Sequence, residues 1–181
     1  MELSELIFVT GNLNKVREAE QKLGIKLNHT SIDLHELQEV DVECVVKHKA
    51  KTAFEQLCKP VIVEDASLGF KAFNGYPGAL IKWHRQYVTN KNICKILNGF
   101  DRTAIAKCAI CIFAGKEYRV FVGETKGQII YEEKGINGFG FDPIFQPDGC
   151  EKTFAEMSLE EKNKISHRAK AWEKVKKHII I

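Results

Sequence analysis

Several short segments carry residue types suited to a polyanion, a divalent cation and a planar ring. The first is Thr10-Gly11-Asn12-Leu13-Asn14-Lys15. An apolar run, Leu6–Val9, feeds a glycine turn that opens a helical pattern. Free N–H groups and the dipole at a helix start favour an anion. Gly11 lets the backbone come close, and Lys15 adds a movable positive charge. The Walker A spacing is absent, and an ordinary strand-to-helix turn with a surface lysine has the same pattern. The second segment is Glu64-Asp65, directly after the apolar Val61-Ile62-Val63. Two carboxylates at the end of a buried strand are costly unless solvated, paired or metal-bound. Hard oxygen ligands suit Mg²⁺, which binds one or two carboxylates plus substrate phosphates. Glu36 could join them in space. A solvated strand end is the plainer alternative.

The third segment is Gly138-Phe139-Gly140-Phe141-Asp142-Pro143. Aromatic rings alternating with glycines in a loop must find a surface to cover. A flat base is one candidate, since stacking contributes about 1–3 kcal/mol per base; core packing is the other. Pro143 biases Asp142 away from helix, so Asp142 is expected as a fixed acceptor in an extended turn. The fourth is Ser166-His167-Arg168-Ala169-Lys170. Ser166 suits an N-cap. His167 and Arg168 then fall on a first helical turn, where the dipole disfavours cations. An anionic or carbonyl-rich ligand would offset that cost, and a solvated basic turn is the alternative.

The elements that must position these groups follow from periodicity. Leu6–Thr10 reads as a short buried strand, 14–23 as a helix with Val16, Ala19 and Leu23 on one face, and Gly24 as its C-cap. Residues 29–34 read as a weaker strand. Residues 41–57 read as a long amphipathic helix with Val42, Val45, Val46, Ala50, Ala53 and Leu57 on one side. Val61–Val63 reads as a strand ending at Glu64-Asp65. Residues 69–78 are loop-rich, and 79–98 read as one or two helices. Residues 103–114 and 118–131 read as long strands joined by a Gly115-Lys116 turn. Helices over 156–164 and 166–178 close the chain. That order predicts an α/β fold with a mixed sheet, whose ligands sit at the carboxyl ends of strands.

Composition narrows the rest. The 181 residues, 44% hydrophobic and 28% charged, suit one globular unit that buries roughly 70% of its unfolded surface. With 27 Lys and Arg against 24 Asp and Glu, the net charge is +3, too small to argue for nucleic acid or a membrane. The excess sits in residues 151–181, and Lys162–Lys177 holds seven basic groups against Glu173 alone. No stretch resembles a targeting or membrane segment from Met1 onward, so a cytoplasmic protein is expected. The six cysteines are expected as reduced thiols, and Cys108 and Cys111, three apart on a strand, as facing opposite ways.

Six segments in order resemble the inosine triphosphate pyrophosphatase family. They are Thr10-Gly11-Asn12 with Lys15; Val63-Glu64-Asp65 with Ser67-Leu68; Asn74-Gly75-Tyr76-Pro77-Gly78 with Ile81-Lys82-Trp83; Phe139-Gly140-Phe141-Asp142-Pro143 with Phe145; Phe154-Ala155-Glu156-Met157; and Glu161-Lys162-Asn163 leading to Ser166-His167-Arg168. The resemblance covers nearly the whole chain. It implies a single domain over 1–181, an elongated two-lobed α/β fold with a mixed sheet and a central cleft, a homodimer, and Mg²⁺ or Mn²⁺. It implies hydrolysis of ITP, dITP and XTP to monophosphate and pyrophosphate, which clears deaminated purines from the nucleotide pool. By motif match, Thr10, Gly11, Asn12, Lys15 and Lys162 stand as the triphosphate cradle. Glu36 and Asp65, with Glu64 beside them, stand as metal ligands, and Asp65 also as the proton acceptor. Lys49 matches a substrate-contacting lysine. Phe139, Gly140, Phe141 and Asp142 stand as the base and sugar platform, and His167 and Arg168 as readers of the purine 6-oxo edge. Three positions depart from the family pattern: Ala66 for Ser or Thr, Phe141 for a common Trp, and His84 for a common aromatic. None removes a charge the chemistry needs. Two other readings fit parts of the pattern: a pyrophosphatase of a neighbouring family with another base preference, and a non-catalytic nucleotide- or RNA-binding module using the basic tail and the paired phenylalanines.

Overall fold

The structure, a computed structural model, describes residues 2–179; Met1, where the N-terminal reading starts, lies outside them with Ile180 and Ile181. The strands are β1 (Ile7–Val9), β2 (His29–Thr30), β3 (Val61–Phe70), β4 (Pro77–Gly78), β5 (Thr103–Phe113), β6 (Tyr118–Ile129) and β7 (Phe145–Pro147). The helices are α1 (Leu13–Leu23), α2 (Val42–Leu57), α3 (Ile81–Ile96), α4 (Leu159–Ile165) and α5 (His167–His178). One sheet runs β2-β1-β3-β5-β6-β7, with β4 pairing onto β3. β1 is parallel to β2 and β3; the pairs β3–β5, β5–β6 and β6–β7 are antiparallel. The expected mixed α/β sheet is present.

Local chemistry explains the helix ends. Asn12 caps α1 by accepting the Asn14 N–H at 3.0 Å, and Gly24 ends it at φ 77°. Asp41 caps α2. Ser158 and Glu161 form a capping box on α4, so that helix starts at Leu159 rather than 156. Ser166 caps α5 by accepting the Ala169 N–H.

Several expectations need correction. β3 does not stop at Glu64-Asp65. It continues to Phe70, because β5 pairs with every residue from Val61↔Phe113 to Phe70↔Ala104. The two carboxylates therefore lie mid-strand on opposite faces. They are nevertheless beside a strand end, since β1 pairs with β3 only as far as Val63. β2 is two residues, not six. Asp142 opens a short 3-10 turn, Asp142–Ile144, instead of an extended one. The 79–98 region is one helical stretch broken at Thr89.

Three apolar clusters flank the sheet. On one face, Phe8, Ile62, Cys108, Ile110 and Ile112 pack under α1 and α5, with Trp172 fully buried. Farther along the same face, Leu68, Phe70, Ala104 and Ala106 pack under α3 and the Phe141–Phe145 region. The opposite face holds Val61, Val63, Ala109 and Cys111 under α2. Glu64 lies on the first face, between Ile62 and Leu68, at the seam of its two clusters. α5 rides so close to β6 that a Cβ on Gly123 would collide with the His167 carbonyl oxygen. The six cysteines are free, and Cys108 and Cys111 enter clusters on opposite faces as expected. No helix among the described residues is long and apolar enough to cross a membrane.

Candidate active site

The predicted residues gather at two ends of the seam. At the carboxyl end of β1, a cavity of about 370 Å³ is lined by Thr10, Gly11, Asn12, Lys15, Glu36, Lys49, Glu64, Asp65 and Lys82, among others. Thr10 Oγ1 accepts the Asn12 N–H at 3.1 Å, which sets the turn into α1. Lys15 Nζ donates to the Glu64 carbonyl oxygen at 3.0 Å and stands 3.9 Å from Asp65 Oδ1. Lys49 Nζ, from α2, donates to Asp65 Oδ2 at 2.6 Å and Glu36 Oε1 at 3.2 Å. Lys82 Nζ, from the first turn of α3, donates to both Glu36 oxygens at 3.0 Å. Lys82 carries no role in the sequence reading. Its signal was its place in Ile81-Lys82-Trp83, where the Trp83 ring lies 4.7 Å from the ammonium.

Burial works to raise the Asp65 pKa, but the Lys15 and Lys49 charges and hydrogen bonds overcome it and hold the carboxyl below its ordinary value. Glu36 is likewise lowered against its burial by Lys82 and Lys49. Lys49 is desolvated, yet Asp65 and Glu36 raise its pKa. Three ammonium groups, those of Lys15, Lys49 and Lys82, are thus gathered among the carboxylates of one cavity, a concentration of lysines that suits a polyanion.

Glu64 stands at the edge of this group, with Oε1 3.7 Å from Lys15 Nζ. Its carboxylate points through the other face, accepting Arg168 Nε at 2.8 Å and Trp172 Nε1 at 3.1 Å. Among the described residues no three His, Cys, Asp or Glu side chains converge as a metal cage. What remains is Glu36 and Asp65, bridged by one lysine. That donor set fits a hard cation that takes its other ligands from phosphate oxygens and water.

The second end is a buried ion network. Lys162 Nζ donates to Glu18 Oε1 and Asp142 Oδ2, both at 2.7 Å. Arg168 Nη1 donates to Glu18 Oε2 at 2.6 Å. Asp142 Oδ2 also accepts the Phe139 N–H at 2.7 Å. The partly exposed Phe139 ring covers both cations: its centroid is 5.1 Å from Lys162 Nζ and 5.0 Å from Arg168 Cζ. A cavity of about 380 Å³ opens here between Asn14, Arg17 and Glu18 of α1 and Phe139, Phe154 and Lys162.

Two placements differ from expectation. Lys162 lies with Glu18 and Asp142 at this end, not in the Thr10–Lys15 cradle. Phe141 is 7% exposed and packs against Phe145 and His167, so it is core beneath the platform. Glu18 was missed altogether. Its one signal was a carboxylate beside the apolar face of α1, a position that demands a partner.

These charges explain the basic first turn of α5. Arg168 is desolvated, but Glu64 and Glu18 raise its pKa well above the usual value. Glu18 is lowered by Arg168 and Lys162 despite its burial. Asp142 is raised, because burial outweighs the nearby Lys162. His167 is pushed far below its ordinary value by burial, then by the Arg168 and Lys162 charges. It is neutral, with neither ring nitrogen hydrogen-bonded, between Phe141 and Phe154 at 5.6 and 5.8 Å.

Comparison with known proteins gives a consistent result. The pattern of the Ham1 family matches residues 6–178. The chain is 43% identical to a protein named inosine triphosphate pyrophosphatase from Scheffersomyces stipitis, covering 98% of this chain and 99% of that one. It is 44% identical to one of the same name from Batrachochytrium dendrobatidis, covering 96% and 93%. Among solved structures, a HAM1 protein from Coxiella burnetii superposes with TM-score 0.82 at 27% identity, over 96% of this chain and 98% of that one. Sequence pattern, full-length relatives and superposition agree, and this chain belongs to the Ham1 family.

Proposed function

We propose that this protein hydrolyses ITP, dITP and XTP to the nucleoside monophosphate and pyrophosphate, with Mg²⁺ or Mn²⁺ bound alongside the triphosphate. The observation that carries this reading is the pairing of opposed ends along one seam. Lys15, Lys49 and Lys82 converge on Glu36 and Asp65 at one end, and the donor-only Arg168 lies under the Phe139 ring at the other. The names of the full-length relatives support it.

In the reaction, a water oxygen bonds to the α-phosphorus and the bond to the α,β-bridging oxygen breaks. Asp65, kept ionised by Lys15 and Lys49, orients that water and accepts its proton. The lysines, with the positive end of the α1 dipole beside them, stabilise charge building on the departing pyrophosphate. Glu36 and Asp65 would hold the metal ion, whose contribution is to neutralise phosphate charge and acidify or orient water. At the other end the base lies against Phe139. Of the five N–H groups of Arg168, Nε and one on Nη1 are committed to Glu64 and Glu18, which leaves one on Nη1 and two on Nη2 to donate. A 6-oxo purine accepts that donor; adenine presents an amino group and leaves it unpaired, a mismatch sites of this kind reject strongly.

A homodimer and a cytoplasmic location belong to the same proposal. So does the absence of a nucleic-acid or membrane partner. In its support, Lys170 and Lys174 of the basic tail are engaged with the β6 carbonyl oxygens of Glu124 and Val122. The test is product analysis on ITP, ATP and UTP, with Mg²⁺ and with chelator. Pyrophosphate from ITP, lost on chelation, is expected. Release of orthophosphate, or fastest turnover of UTP, would overturn the reading. Light scattering reads the dimer.

A further inference from the structure

We propose that Arg85 and Asn90 are positioning residues for the base-facing segment 139–142, which they hold through the Gly140 carbonyl. This rests on reading Phe139 as the ring that receives the base. The helix α3 is not continuous: Thr89 has φ 64° and ψ 155°, which splits it in two. A β-branched residue at positive φ is costly and persists only where the surroundings enforce it. The break places Asn90 at the start of the second segment, facing inward and 7% exposed. Its amide is satisfied at both ends. Arg85 Nε donates to Asn90 Oδ1 at 2.7 Å, and Asn90 Nδ2 donates to the Gly140 oxygen at 3.1 Å. Because a guanidinium can only donate, Arg85 settles which way the amide faces. The NH₂ group is thereby turned to the Gly140 carbonyl.

Gly140 stands between Phe139 and Phe141 at φ 72°. Among the described residues, and beyond its own chain neighbours, the one atom within 4 Å of a Cβ built there is Arg85 Nη1, at 4.0 Å. On its other side the segment is tied to the buried network, since Asp142 accepts both Lys162 Nζ and the Phe139 N–H. Two independent anchors therefore hold four residues, and only one of them belongs to the charged network. The α3 anchor has a second consequence. Lys82 lies one turn before Arg85 on the same short segment and grips Glu36 at the phosphate end. The first half of α3 thus touches the phosphate end directly and the base platform through Asn90, and a shift of that half moves both.

The test combines hydrogen exchange with binding. In Asn90→Ala, amides in 137–144 should exchange roughly five- to tenfold faster, the loss of about one hydrogen bond. Exchange in 10–15 should not change. Asn90→Asp, which keeps the acceptor for Arg85 but loses the donor to Gly140, should behave alike. The KM for ITP should rise by a similar factor, with kcat nearly unchanged. Inhibition by inorganic tripolyphosphate, which has no base, should stay at the wild-type level. Arg85→Ala should have the same effect, and the double variant should add little, because both act through one chain of bonds. Unchanged exchange in 137–144 would overturn the proposal. So would an equal loss of ITP and tripolyphosphate binding, which marks a general structural defect. If the wild type does not turn over ITP, the functional reading fails, and the exchange data still decide the positioning role.

Discussion

The two ends of the seam use the same residue types in opposite ways. At the phosphate end, Lys15, Lys49 and Lys82 pair with Glu36 and Asp65; the side chains of Lys82 and Glu36 are 64% and 26% exposed, and those of Lys15, Lys49 and Asp65 are 15%, 13% and 19% exposed. Water reaches all of these side chains and screens the Lys82–Glu36 pair most, so incoming phosphate oxygens can replace the carboxylates as partners more cheaply than at a sealed pair. At the base end, Lys162 and Arg168 are sealed against Glu18, Glu64 and Asp142, with both cations at 3% side-chain exposure. There the partners are fixed, and exchanging them would leave a buried charge alone. The first arrangement suits a site that must take up and release a polyanion. The second suits a site that must hold one donor still while a base is compared with it.

Breaking each end should therefore fail differently. The largest effect is expected from Asp65→Asn, with kcat falling about a thousandfold and urea stability nearly unchanged, because Lys49 keeps Glu36. Arg168→Ala should fail through the fold as well as through base selection. It strands Glu18 and Glu64, and urea denaturation should show a loss of about 3–5 kcal/mol. A substantial stability loss in the first variant, or none in the second, would erase the contrast.

Smaller effects sharpen it. His167 stays neutral in the folded chain, whereas in the unfolded chain it gains a proton below about pH 6.5. The folded pKa is depressed, so stability is lost as pH falls below that value, by up to about 1.4 kcal/mol per pH unit for one proton. His167→Phe matches the surrounding Phe141 and Phe154 and should flatten the denaturation free energy between pH 6.5 and 5. A slope equal to the wild type would place the titration elsewhere. The least effect is expected from Lys82→Ala, a threefold to tenfold rise in KM for ITP that fades with added salt because the group is exposed.

Much of this was legible in the sequence where a local rule acts alone. Asn12 and Gly24 delimit α1, Asp41 starts α2, and Ser166 starts α5, each through its own short-range chemistry. The Ser166-His167-Arg168 turn was legible as a conflict with the helix dipole, and its resolution is Glu18 and Glu64. What the sequence hid was set by distant pairing. β3 runs past Glu64-Asp65 because β5 supplies ten partners, and no residue within 61–70 announces that. The same continuation sends Glu64 and Asp65 to opposite faces, which is why Asp65 meets Lys49 while the Glu64 carboxylate is held by Arg168 and Trp172 and nears only Lys15 among the three lysines. Glu18 and Lys162, 144 residues apart in sequence, meet only through the packing of α1 beside α4. Phe139 and Phe141 look equivalent as letters, yet one ring is partly exposed and the other is core.

The claim that rests on all of this is that a fixed donor at the base end selects the 6-oxo purine. The most direct measurement is kcat/KM for ITP and for ATP under identical Mg²⁺ and salt. A ratio of about a hundredfold or more in favour of ITP is predicted. Equal values for the two nucleotides would contradict it.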